Sequence, residues 1–208
     1  MENTLLIGLS RQMALQREMD VVANNVANLN TNGFKANTSI FEEYLMPVAR
    51  ANNFPAGDNR LSFVQDRGTL LDLSQGAVQL TGNALDVAID GDAFLSVQTP
   101  RGERYTRNGA SPDDVPRGKL KLVRFAQPQR LIKDGSSYFS APAGAQPGVP
   151  EKVKLVQGAI EKSNVRSVVE MTRMIEVNRT YAAVAGLMQS QGDLRRNAIQ
   201  QLAEVPSA

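Results

Sequence analysis

Two long stretches without proline, one at each end of the 208-residue chain, carry apolar side chains at alternating steps of three and four. Between them the period falls to two. In the first stretch, residues 3–30, Leu6, Leu9 and Met13, then Leu15, Met19, Val22, Val26 and Leu29 follow the spacing of a bundle or coiled-coil seam, with Leu5 just ahead of them. Asn3 suits the helix start, Glu2 the positive end of its dipole, and Asn30, Asn32 and Gly33 a left-handed stop. The expected helix has about 26 residues and a length of ~39 Å. The second stretch begins near Ser167, whose spacing to Glu170 is that of a capping box, and runs to about Glu204. Its apolar residues, Met171, Met174, Ile175, Val177, Tyr181, Val184, Leu187, Met188, Leu194, Ala198 and Leu202, are too many for one narrow stripe. Such a helix meets more than one neighbour.

The middle of the chain reads as short strands and tight turns. Val78 and Leu80, then Leu85, Val87 and Ile89, then Leu95 and Val97 alternate with polar residues, and Gly82-Asn83, Asp90-Gly91 and Pro100-Arg101-Gly102 punctuate them. Lys119 to Phe125 and Val153 to Val156 continue the pattern, whereas Ala141 to Pro150 is loop. Ile40 to Met46 fits a helical turn or a strand, and Asn52 to Asn59 a loop. The expected class is α+β: long N- and C-terminal helices forming a coiled-coil-like domain, and a central, mostly antiparallel β-domain. The expected boundaries are 1–36 for the first helix, 37–75 for a connecting segment, 76–159 for the β-rich domain and 160–208 for the second helix.

Composition removes most chemistry. The chain has no His and no Cys, so the commonest general base, thiol nucleophiles, thiolate metal sites and disulfides are absent. Serines occur, but without a G-x-S-x-G elbow. Asp86 and Asp90 on one strand face would stand about 13 Å apart, too far for a glycosidase pair. Asp90-Gly91-Asp92 offers two carboxylates where a calcium loop needs about six oxygen ligands. Lys119, Lys121 and Arg124 alternate as a wet strand face does, and a net charge of +2 is no nucleic-acid footprint. Glu170, Arg173, Glu176 and Arg179 alternate in sign at steps of three, as on a salt-bridged helix face. No enzyme, cofactor, metal, nucleic acid or small-molecule substrate is expected. Leu5 to Leu9 is too short for a secretory signal, so no cleaved signal peptide is expected.

Thirteen consecutive residues, Ala23-Asn24-Asn25-Val26-Ala27-Asn28-Leu29-Asn30-Thr31-Asn32-Gly33-Phe34-Lys35, resemble the signature of the bacterial flagellar rod and hook axial proteins. Ser163-Asn164-Val165, Glu170 to Glu176 and Tyr181 resemble that family's C-terminal signature. The Leu85 to Phe94 strand region and Arg104 to Gly109 are also similar. Leu187-Met188-Gln189 with Asp193 to Arg196 is most similar to the proximal rod members. Ala93 stands where the family usually has Gly, and Ala110 to Arg117 passes almost directly to Lys119, so the outer domain looks shortened.

The resemblance implies a structural subunit that stacks helically around a narrow export channel, with terminal helices inside as a coiled coil and the β-domain outside. The rod crosses the periplasm and carries torque, and the uncleaved N-terminus is recognised by the flagellar type III export apparatus. The expected partners are copies of the chain and other rod proteins. Expected interface residues are Leu5, Leu6, Leu9, Met13, Met19, Val22, Asn24, Asn25, Val26, Asn28, Leu29, Met171, Met174, Ile175, Val177, Tyr181, Val184, Leu187, Met188 and Leu194, the asparagines bonding across the bundle. An isolated pair of such helices is marginally stable, so order is expected to complete on assembly. A distal rod or hook-type subunit is the alternative within the family. In a different class, a binding module would keep the helices as an intramolecular stalk.

Overall fold

A computed structural model describes residues 2–47, 60–100, 102–110, 120–150 and 153–203. Helix α1 (Glu2–Ala27) and helix α2 (Ser167–Ala203) occupy the two ends. Between them lie β1 (Asn37–Pro47), β2 (Arg60–Leu71), β3 (Val78–Leu80), β4 (Val87–Asp90), β5 (Phe94–Thr99), β6 (Gly102–Thr106), β7 (Lys121–Val123), β8 (Ile132–Asp134), β9 (Tyr138–Ser140), β10 (Lys154–Gln157) and β11 (Ala159–Glu161). The class is α+β, and every pairing with a described register is antiparallel. No described helix is long and apolar enough to cross a membrane.

Two compact units share the chain. One comprises residues 1–23, 39–69 and 171–208, the other residues 24–38 and 70–170. The last turn of α1 and the first turn of α2 therefore belong with the strands, which differs from the expected divisions at 36/37, 75/76 and 159/160. The reason is chemical: residues 24–37 and 161–170 spend their hydrogen bonds on one another and on the strand region. Part of the segment read as a connector is regular, since β1 and β2 pair with each other. Ala159–Glu161, which the expected boundary at 159/160 would divide, is a single strand paired with β3. The loop expected at residues 52–59, the shortening expected within residues 110–118 and the side chains proposed to cap α1 fall outside the described residues.

In the β-containing unit, five strands form a sheet in the order β7-β5-β6-β9-β8 among the described residues, and β10 pairs with β4. Leu71, Phe94, Tyr105, Val123, Phe125, Leu131 and Phe139 form its main core. Phe94 meets Phe125 and Phe139 edge-to-face at centroid distances of 6.1 and 5.7 Å, and Tyr105 meets Phe125 likewise at 4.8 Å. Such pairs fix ring orientation as well as burying area. A second cluster, Ile89, Ala93 and Leu95, continues it, and fully buried Ala93 has an ordinary negative φ among the described residues.

Glycine matters most where backbones touch. The Val87 N–H donates to the Gly109 carbonyl at 2.9 Å, and a Cβ on Gly109 would stand 1.7 Å from the Val87 carbonyl oxygen. Gly186, by contrast, sits mid-helix in α2 with no neighbour of the same chain near its missing Cβ. Gly109→Ala should destabilise the protein by about 3 kcal/mol or more, because main chain must move. Gly186→Ala should stabilise the free subunit by up to ~1 kcal/mol through helix propensity. Thermal and denaturant melts of the two variants against the parent check both signs.

Candidate assembly surfaces and the anchor of the termini

α1 and α2 run antiparallel in the helical unit. Glu18 accepts from Arg173 Nε at 2.8 Å, while Gly8 lies against Met188, close enough that a Cβ would meet its Cγ at 3.0 Å. Arg17 pairs with Asp66 of β2 at 3.3 Å. Arg173 thus bonds a partner on α1 and not, as expected, a neighbour on its own helix.

The expected interface residues separate into two sets by exposure. At the N-terminal end, Val22 is buried and Leu5, Met19, Val26 and, just past α1, Leu29 are half-buried, whereas Leu6, Leu9 and Met13 are 52, 47 and 66% exposed. The split follows from spacing. Met13 to Leu15 is a step of two, which turns a helix by about 200°, so the first three residues lie in a different register from Leu15, Met19 and Val22. Gly8, Leu15 and Val22, a heptad apart, make the inner line.

In α2, Met174, Val177, Tyr181, Val184 and Met188 alternate by three and four and are buried or half-buried. Met171, Ile175, Leu187 and Leu194 lie off that line and are 50, 55, 58 and 63% exposed. Leu202, two heptads beyond Met188 and so in the inner register, is nonetheless 75% exposed. With Gly8 opposite Met188, an antiparallel α1 starting at Glu2 reaches only to about position 194 of α2.

The asparagines behave individually. Asn25 is buried: its Nδ2 donates to the Asn37 carbonyl at 2.8 Å and to Glu170 Oε2 at 3.2 Å, and its Oδ1 accepts from the Asn37 N–H at 2.9 Å. Asn28 is half-buried and bonds locally, donating to the Asn24 carbonyl and accepting from Thr31; the Asn24 side chain is exposed. The bonds found for Asn25 and Asn28 lie within the chain, at the point where α1 ends and α2 begins.

A buried ionic knot lies just beyond. Glu161 Oε1 accepts from Lys35 Nζ at 2.7 Å and from the Gly76 N–H at 2.9 Å, and Oε2 accepts from Arg107 Nε at 2.9 Å. The three charged residues are at most 2% exposed. Two cations share one carboxylate, so main-chain carbonyls complete the site: Ser74 O accepts from Lys35 at 2.5 Å and Gly91 O from Arg107 at 3.0 Å. Burial, with the Arg107 charge alongside, pulls the Lys35 ammonium below its ordinary range, while Glu161 opposes the shift. Phe34, fully buried next to it, carries Lys133 Nζ over its ring at 3.5 Å, and burial brings the Lys133 ammonium down to about 8 against the pull of the ring face.

Gly33 enters this knot with φ +68°, its N–H donating to the Glu161 carbonyl at 2.8 Å, and a Cβ there would lie 2.4 Å from the Asn108 nitrogen. Asn164 closes the far side: Oδ1 accepts from the Ala36 N–H at 2.8 Å, and Nδ2 donates to the Asp72 carbonyl at 2.9 Å. Reading the sequence alone missed Glu161 and underrated Lys35, Arg107 and Asn164. The available signal was their place inside or beside the three signatures.

Comparison with known proteins matches both ends. Residues 5–35 fit the family model described as flagella basal body rod protein, and residues 156–201 that described as flagellar basal body rod FlgEFG protein C-terminal. The two matched segments contain Lys35 and Glu161, the ion pair that joins them. Flagellar basal-body rod protein FlgF of Caulobacter vibrioides is 33% identical over 251 aligned positions, covering 99% of this chain and 100% of the relative. FlgF of Mesorhizobium japonicum is 30% identical with 97 and 98% covered, and rod protein FlgG of Borreliella burgdorferi 27% with 87 and 91% covered. The chain belongs to the flagellar basal-body rod protein family. Within it the chain is FlgF-like, a structural rod subunit and not an enzyme.

Glu161→Gln leaves two buried cations without their counter-ion and should cost about 3–5 kcal/mol, whereas Lys35→Met leaves the balanced Arg107 pair and should cost clearly less; guanidinium unfolding of both ranks them. For Lys133, the folded pKa of about 8 lies below the ordinary lysine value of 10.5, so the unfolded chain holds the proton more tightly. Its contribution to stability should therefore rise with pH between those values and vanish in Lys133→Met, as pH-dependent melts of the pair would show.

Proposed function

We propose that the chain polymerises through the outward apolar faces of its terminal helices, taking a proximal position in the rod. The observation that carries this is the double register of both helices: one line is covered within the chain, while Leu6, Leu9 and Met13 on α1 and Met171, Ile175, Leu187 and Leu194 on α2 stand in solvent. Apolar faces of this kind on neighbouring copies would cover each other as coiled-coil seams do. Such contacts join unlike surfaces, and heterologous contacts that do not close into a ring build an open helix. The exposed Asn24 is the asparagine best placed to bond across that seam. Partners on this reading are further copies and other rod proteins, together with the flagellar type III export apparatus, which would take the chain through its uncleaved N-terminus.

The proximal position is supported by near-complete coverage and by the higher identity to the two FlgF relatives than to FlgG. The alignment to the Caulobacter relative runs to 251 positions against 208 residues here, and we place the missing part in the outer domain near residues 110–118.

The combined change Leu6→Gln, Leu9→Gln and Met13→Gln should leave the melting temperature of the free subunit within a few degrees, because these side chains are already exposed, and should abolish its polymers. Sedimentation velocity across a concentration series reads the polymers. A variant that still assembles would refute the role of this face.

A further inference from the structure

The signature residues of α1's end do their bonding inside the chain, and all of it lies within one compact unit. Gly33, Phe34, Lys35, Ala36 and Asn37 meet Glu161, Asn164 and, through Asn25, Glu170. The contacts are reciprocal. The Gly33 N–H donates to the Glu161 carbonyl at 2.8 Å and the Asn164 N–H to the Phe34 carbonyl at 3.3 Å. The Ala36 N–H ends on the Asn164 side chain, and the Lys35 ammonium on the Glu161 carboxylate. The strip of residues 72–77 between β2 and β3 lies behind both: the Asp72 N–H donates to the Ala36 carbonyl and the Lys162 N–H to the Ala77 carbonyl, each at 2.8 Å.

We infer that residues 24–37 and 161–170 form a clamp in which neither segment is ordered without the other, so that the anchor of the C-terminal helix depends on the N-terminal signature being seated. Withdrawing residues 24–37 would strip Glu161 of a buried cation, remove Phe34 from its site and leave the Asn164 amide and side chain short of partners. Such groups, once buried, carry a large penalty when unpaired. What remains, Glu161 with Arg107 and Gly76 and the Asn164 amide group with Asp72 and Ser74, holds β11 and Asn164 to the strands, while Glu170 at the first turn of α2 loses its Asn25 donor. A partner that takes hold of the N-terminal signature in another conformation would thereby unseat the root of α2, at the opposite end of the sequence. The coupling is a property of the lone subunit and stands apart from the assembly reading.

Native-state hydrogen exchange on the full chain tests it, using the amides of Gly33, Ala36 and Asn37 on one side and Lys162, Asn164 and Glu170 on the other. Asn25→Ala, which deletes three hydrogen bonds and creates little space, should speed exchange about tenfold at both groups while leaving β5, β6 and β9 unchanged. Asn164→Ala should do the same from the other side, as reciprocity of coupled sites requires. Lys35→Met serves if either fails to fold. Acceleration confined to the mutated segment would overturn the clamp, and so would equal acceleration through β5, β6 and β9, which would mean a single cooperative unit.

Discussion

One carboxylate holds the two ends of this chain together. Glu161 sits at the close of β11, out of water, with Lys35 and Arg107 on its two oxygens. A lone buried anion would be prohibitive, and a single neutral pair would often be no better than packed hydrocarbon. A three-residue knot completed by carbonyls differs, because each of its charged groups meets more than one partner. Its partners come from positions 35, 107 and 161, so it forms only when the N-terminal signature, the β6 end and the C-terminal approach are all in place. The positive φ of Gly33, the burial of Phe34 and the amide fork of Asn164 serve the same closure.

Periodicity carried the helices well. The N-terminal pattern ends where Asn28 to Gly33 breaks it, and Ser167 opens α2 as its spacing to Glu170 indicates, although the Glu170 carboxylate accepts from Asn25. The two registers of α1 were also on view, in the single step of two between Met13 and Leu15. Reading it as one seam merged a covered line with an exposed one.

Strands were legible where one face is greasy and the other wet, as in β3, β4 and β5, and hidden where polar residues are buried. β6 reads Gly-Glu-Arg-Tyr-Thr and β11 Ala-Ile-Glu, yet Thr106 and Glu161 are fully enclosed. Hydropathy scores such residues as surface because it prices a charge without its partner, and the partner here is 126 positions away. Only likeness to a family hinted at the grouping, by putting Lys35, Arg107 and Asn164 in or beside motifs.

The helices of the pair are unequal, 26 residues against 37, and they run in opposite directions. Such a hairpin cannot finish flush: the longer limb overshoots by roughly two turns, with Leu202 still facing the side its mate has vacated. A helical pair with one limb longer than the other has two unlike ends. Copies stacked in register along it would inherit that direction, each presenting an end unlike the one it covers.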